Sequence, residues 1–89
     1  MTMPHILIVD DDEILASLLQ ITLEVEGYEV STAPDGEAAL ARLAEGGIDL
    51  VVLDLVMPKM DGVRFLRVLN EQGKARPPVI VISSTAGNT

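Results

Sequence analysis

The 89-residue chain has no Cys and no Trp, and its aromatic side chains are Tyr28 and Phe65 alone. Without Cys there is no disulfide framework and no thiolate metal site. With so few aromatic rings, a base-stacking platform for single-stranded nucleic acid is not expected. Basic residues are scarce as well: 6 Lys and Arg stand against 14 Asp and Glu, a formal charge of −8. A phosphate backbone needs a surplus of Lys and Arg, so direct nucleic-acid binding is not expected. The apolar runs are all far shorter than the ~20 residues needed to cross a bilayer. No charged-then-apolar leader opens the chain, so a cytoplasmic setting is expected. What the chain does have is aliphatic residues. Hydrophobic residues make up 48% of it, too many for a disordered tail and enough for the core of one small domain.

Charge is unevenly placed. Residues 1–41 hold nine acids and no Lys or Arg, whereas residues 42–89 hold five acids and all six bases. Most of these acids read as a solvated surface. The run Asp10-Asp11-Asp12-Glu13 is different, because adjacent carboxylates directly after an apolar run repel one another and call for a compensating charge.

Two kinds of segment alternate along the chain. Ile6–Val9, Ile48–Leu53 and Val79–Ile82 are short, rich in Val and Ile, and lack period-two polarity. That is the pattern of strands covered on both faces in a parallel sheet. Tyr28–Thr32 reads as a more polar strand nearer an edge. Three helices are predicted between them. Residues 12–26 carry Ile14, Leu15, Leu18, Leu19, Thr22 and Val25 at helical spacing, with Asp12 as cap and Gly27 as stop. Residues 36–45 follow Asp35 and end at Gly46-Gly47. Residues 62–72 follow Asp61, place Val63, Leu66 and Leu69 on one face, and end at Gly73, with Pro77-Pro78 blocking continuation. Strand and helix alternate throughout, which predicts one α/β domain with a parallel sheet, helices on both faces and right-handed crossovers.

Sites in open α/β sheets form beyond the carboxyl ends of the strands. Asp10, Asp11 and Asp12 follow the first strand, Asp54 follows the third, and Ser83, Ser84 and Thr85 follow the fourth. If the first and third strands are neighbours, Asp10, Asp11 and Asp54 converge. A cluster of oxygen ligands without His or Cys suits a hard cation such as Mg²⁺. A carboxylate beside such an ion is a competent nucleophile for phosphoryl transfer, and a nearby hydroxyl can donate to a phosphoryl oxygen. Other residues read more plainly. Asp12 and Asp61 are helix caps. His5 is a polar residue at the far, amino end of the first strand, and Met57 and Met60 pack a loop.

These residues also carry a family resemblance. Ile6-Leu7-Ile8-Val9-Asp10-Asp11-Asp12-Glu13 resembles the opening of bacterial response-regulator receiver domains. Asp49 to Gly62, including Met57-Pro58-Lys59-Met60-Asp61-Gly62, is similar to the family's phosphoacceptor strand and following loop. Glu26-Gly27-Tyr28, Asp35-Gly36-Glu37-Ala38 and Pro78 to Ser84 match further family positions. The resemblance implies a flavodoxin-like doubly wound sheet. It also implies that Asp54 accepts a phosphoryl group from a histidine kinase or phosphotransfer protein. Mg²⁺ would be held by Asp10, Asp11, Asp54 and the main-chain carbonyl of Val56. Ser83 would be the switch hydroxyl, and the side chains of Val56 and Thr85 would tune dephosphorylation. The chain would then be a phosphoacceptor rather than an enzyme.

Set against the family, residues 1–89 read as a receiver domain truncated after the fourth strand: four strands, three helices and no output domain. The fourth helix, the fifth strand with its Lys and aromatic switch residue, and the fifth helix are not expected, and Lys59 reads as a solvated loop residue rather than a substitute. Such a fourth strand would be an exposed apolar edge, open to homodimer pairing. Two other functions fit less of the pattern. One is a truncated receiver serving as a dimerisation module without phosphate switching. The other is a Mg²⁺-dependent hydrolase, disfavoured because Val56 stands two residues after the nucleophile where such enzymes carry a second acid. A dinucleotide site is disfavoured because no Gly-x-Gly-x-x-Gly follows the first strand.

Overall fold

The structure, a computed structural model, describes residues 3–54, 62–71 and 77–82. The chain runs β1 (His5–Val9), α1 (Glu13–Val25), β2 (Glu29–Ala33), α2 (Gly36–Ala44), β3 (Leu50–Asp54), α3 (Gly62–Glu71) and β4 (Val79–Ile82). The strands form one parallel sheet in the order β2-β1-β3-β4, with β1 in register against both β2 and β3. The order reverses at β1 and β3, so their carboxyl ends flank the crevice in which doubly wound sheets bind ligands.

The helix boundaries follow from local chemistry. Asp12 stands at the amino end of α1, and its Oδ1 accepts from the backbone N–H groups of Ile14 (3.0 Å) and Leu15 (3.1 Å). Two of the four orphan donors of the first turn are thereby satisfied. Gly27, at φ +100°, turns the chain out of α1 in a conformation that costs an L-residue with a Cβ. Asp35 caps α2 in the same way as Asp12, accepting from Ala38 N–H at 2.8 Å.

Two apolar layers sandwich the sheet. On one face Leu7, Val9, Ala33, Val51 and Leu53 pack with Ala39 of α2 and with Phe65 and Leu69 of α3. On the other, Ile6 and Ile8 pack against Ala16, with Leu19, Leu23, Tyr28, Val30, Leu50 and Val52 around them. Alternate residues of β1 thus feed opposite cores, the reason its sequence shows no polar alternation.

Four expectations are corrected. The strand expected over 48–53 is Leu50–Asp54, so Asp54 belongs to β3, opposite Ile82 of β4, instead of following the strand. The strand expected over 28–32 is shifted by one residue, to 29–33. On α1, the face turned to the sheet is Leu15, Ala16, Leu19 and Leu23, whereas Ile14, Leu18 and Val25 are 75%, 58% and 77% exposed. The helix carries two apolar stripes, and the one containing Ala16 packs with Ile6 and Ile8 of the sheet. On α3, Phe65 joins Leu69 in the core and Val63 is left exposed, because the aromatic ring fills the larger volume. In β4, Ile80 and Val81 are exposed, in keeping with the apolar surface expected on the fourth strand.

Candidate functional site

The site grows from the carboxyl ends of β1 and β3. Asp10 follows β1 directly, and its backbone N–H donates to the carbonyl of Ala33 at 3.0 Å, which fastens it to the end of β2. Asp54 ends β3, the strand hydrogen-bonded to β1 on the other side. One carboxylate oxygen from each of Asp10, Asp11 and Asp54 lies within 4.8 Å of the others. The convergence expected from the sequence is therefore present, because β1 and β3 are neighbours.

Burial sets the electrostatics. Asp54 is fully buried and Asp10 is 3% exposed, while Asp11 is open to solvent. Asp10 Oδ1 accepts from the Asp12 backbone N–H at 2.9 Å, but its Oδ2 is buried and has no hydrogen-bond partner among the described residues. Burial pushes the Asp10 carboxyl above its ordinary value. The neighbouring charges of Asp54 and Asp11 push the same way, against the Asp12 N–H. An orphaned, desolvated carboxylate oxygen beside two further carboxylates is a site short of positive charge. That observation, together with an all-oxygen donor set, fits a hard divalent cation.

The other expected residues sort as follows. Asp12 is the cap of α1 and Asp35 that of α2. His5 lies at the amino end of β1, as expected. There its Nε2 is 2.7 Å from Ser31 Oγ, and its backbone N–H donates to Asp49 Oδ2 at 2.8 Å. Sequence reading missed this small polar clamp, because its partners come from three separate strands or strand entries. Val56, Met57, Lys59, Met60, Asp61, Ser83, Ser84 and Thr85 lie outside the described residues.

A groove of about 390 Å³ adjoins the acidic cluster between α1 and the end of β2. Asp10, Glu13, Ser17, Gln20 and Thr32 line it, with Ala16, Ala33 and Pro34. Of its polar residues other than Asp10, the acidic run had singled out Glu13 alone. The i, i+4, i+7 spacing of Glu13, Ser17 and Gln20 on one helix face was the available signal.

Comparison with known proteins agrees with this geometry. Residues 6–89 match the model of the response regulator receiver domain. The chain is 43% identical over 79 residues to the alkaline phosphatase synthesis transcriptional regulatory protein PhoP of Bacillus subtilis, covering 89% of this chain and 32% of that protein. Among solved structures it resembles the Vibrio cholerae chemotaxis protein CheY4, with TM-score 0.83 and 33% identity over 90% of this chain and 68% of that one. It also resembles the Thermotoga maritima response regulator TrrA in complex with Mg²⁺-BeF, with TM-score 0.78 and 37% identity over 91% of this chain and 68% of that one. TrrA has also been solved in complex with the histidine kinase ThkA; that copy aligns at TM-score 0.83 and 36% identity over 92% of this chain and 70% of its own. The chain thus spans about a third of the length of the curated relatives it matches. Four parallel strands in the order β2-β1-β3-β4, carboxylates gathered at the switch point and a family match over nearly all of its residues place the chain in the response regulator receiver domain family.

Proposed function

We propose that this chain is the phosphoacceptor of a two-component relay, with Asp54 as the residue that takes the phosphoryl group. The carrying observation is the convergence of Asp54 with Asp10 and Asp11 at the crevice between β1 and β3. In the transfer, an Asp54 carboxylate oxygen forms the new O–P bond as the P–N bond of a donor phosphohistidine breaks, and the bonding pair leaves on the imidazole nitrogen. Asp10, Asp11 and Asp54 would hold Mg²⁺, with the main-chain carbonyl of Val56 as the further ligand that the family resemblance implies. When bound, the ion supplies positive charge to the phosphoryl oxygens. By the same resemblance, Ser83 would supply the switch hydroxyl. The chain is an acceptor rather than an enzyme with turnover.

The partner is a histidine kinase or phosphotransfer protein, which sets the reaction in the cytoplasm. Among the described residues no helix is long and apolar enough to cross a membrane. The exposed stripe Ile14, Leu18, Ile21 and Val25 along α1 begins beside the acidic cluster and offers an apolar face to such a partner. A second use, pairing of two copies along β4, rests on the exposure of Ile80 and Val81. Light scattering checks that use, and a monomer at every concentration removes it.

Incubation with a small phosphodonor and Mg²⁺, read by intact mass, tests the main reading. The expected result is one added phosphoryl group in the wild type and none in Asp54→Asn. Labelling that persists in Asp54→Asn refutes the assignment.

A further inference from the structure

We propose that the groove between α1 and the end of β2 is a hydrated annex of the cation site, and that Glu13 is the positioning residue that fixes the ion's outer water shell. The inference rests on the phosphoacceptor reading and extends it to residues outside the three converging carboxylates.

Asp10 belongs to both spaces: it contributes to the carboxylate cluster, and it lines the groove. Its Oδ2 is buried without a hydrogen-bond partner among the described residues, a deficit that an ion in the cluster would meet. The groove's volume of about 390 Å³ is well above the roughly 30 Å³ share of one water, so several fit. Its other polar walls are a carboxylate (Glu13), two hydroxyls (Ser17 and Thr32) and an amide (Gln20), all able to accept from water. Its remaining walls, Ala16, Ala33 and Pro34, are small and leave the space open.

Mg²⁺ gives up its waters reluctantly and takes a near-octahedral set of oxygen ligands, so the four protein oxygens assigned to it would leave about two positions for water. Those waters are strong donors and need acceptors beyond the ligands themselves. Among the described residues lining the groove, Glu13 is the one charged acceptor besides Asp10, and none is a Lys or Arg. Outer-shell partners of this kind typically change metal affinity by about tenfold or more when removed.

The test is calorimetric titration of the 89-residue chain with Mg²⁺ alone, at low and at high salt. Wild type is compared with Glu13→Gln, Thr32→Val, Glu24→Gln and Asp11→Asn, each checked for fold by circular dichroism. Glu24→Gln removes the same charge from the other end of α1 while leaving an amide oxygen to accept from Gln20 Nε2, and reports the long-range field. Thr32→Val removes a groove wall without changing charge. The expected result is a loss of affinity of about tenfold in Glu13→Gln that survives high salt. A smaller loss is expected in Thr32→Val, with Glu24→Gln restored to wild type by salt. Equal effects of Glu13→Gln and Glu24→Gln, or a Glu13→Gln effect abolished by salt, overturn the inference. Loss of binding in Asp11→Asn with wild-type affinity in Glu13→Gln overturns the annex and leaves the phosphoacceptor reading standing. Wild-type affinity in Asp11→Asn overturns the cation site itself.

Discussion

Replacing Asp10 by Asn isolates the cost of the acidic pocket. Asp10 is almost fully buried; Oδ1 accepts from Asp12 N–H, and Oδ2 has no partner among the described residues. Asparagine keeps the Oδ1 acceptor and places an NH₂ donor where Oδ2 was, in a cluster shared with the carboxylates of Asp11 and Asp54. An unsatisfied buried polar group costs about 1–3 kcal/mol, more when charged. Without divalent cation, Asp10→Asn should therefore be more stable than wild type near neutral pH by about 1–3 kcal/mol. In a domain of this size each 1 kcal/mol is about 4–8 °C in Tm.

The pH dependence carries its own sign. Burial raises the folded-state pKa of Asp10, so the folded protein holds a proton that the unfolded chain has already lost. Wild-type stability from this group is therefore greatest below the ordinary carboxylate value and falls as pH rises through the raised one. Asp10→Asn lacks that fall, so the gap between the two proteins closes on acidification. Saturating Mg²⁺ closes it from the other side, since at a hundredfold excess over Kd a ligand stabilises by about 2.7 kcal/mol. Urea titrations across pH, with chelator and with Mg²⁺, measure all three effects. A metal-free Asp10→Asn that is less stable than wild type near neutral pH, or a gap that ignores pH, refutes the account of the pocket.

Three further predictions concern the scaffold. On α1, Leu18→Ser should change stability by less than about 0.5 kcal/mol, whereas Leu19→Ser should cost about 1–3 kcal/mol, both read from urea midpoints; equal costs would contradict the orientation of the helix. Asp12→Ala removes the acceptor for the Ile14 and Leu15 N–H groups and should cost about 0.5–2 kcal/mol, visible as a lower urea midpoint. Phe65→Ala empties the centre of the core shared by α2, α3 and the sheet and should cost about 3–5 kcal/mol, enough to lose the cooperative thermal transition of a small domain.

Much of the molecule was legible in the residues themselves. Strand character came from short Val- and Ile-rich runs, because a strand buried on both faces cannot afford polar alternation. Helix starts came from Asp12 and Asp35, because a carboxylate there satisfies donors the helix leaves open, and one helix stop came from Gly27, because positive φ disfavours a Cβ. The acids after the first apolar run and at the end of the third marked the site before any geometry was known, since like charges at strand ends need a counter-charge.

Tertiary structure decided the rest. Only the strand order makes β1 and β3 neighbours, and only that adjacency brings Asp54 within 4.8 Å of Asp10 and Asp11. Which of two apolar stripes on α1 meets the sheet was settled by the packing of Ala16, Leu19 and Leu23 with Ile6 and Ile8, which periodicity does not contain. The pairing of His5 with Ser31 and Asp49, and the groove beside Asp10, arise from residues distant in the chain meeting across the sheet. Local chemistry determined what each segment was. Long-range packing determined which carboxylates share a crevice, and burial in that crevice is what leaves Asp10 Oδ2 without a hydrogen-bond partner among the described residues.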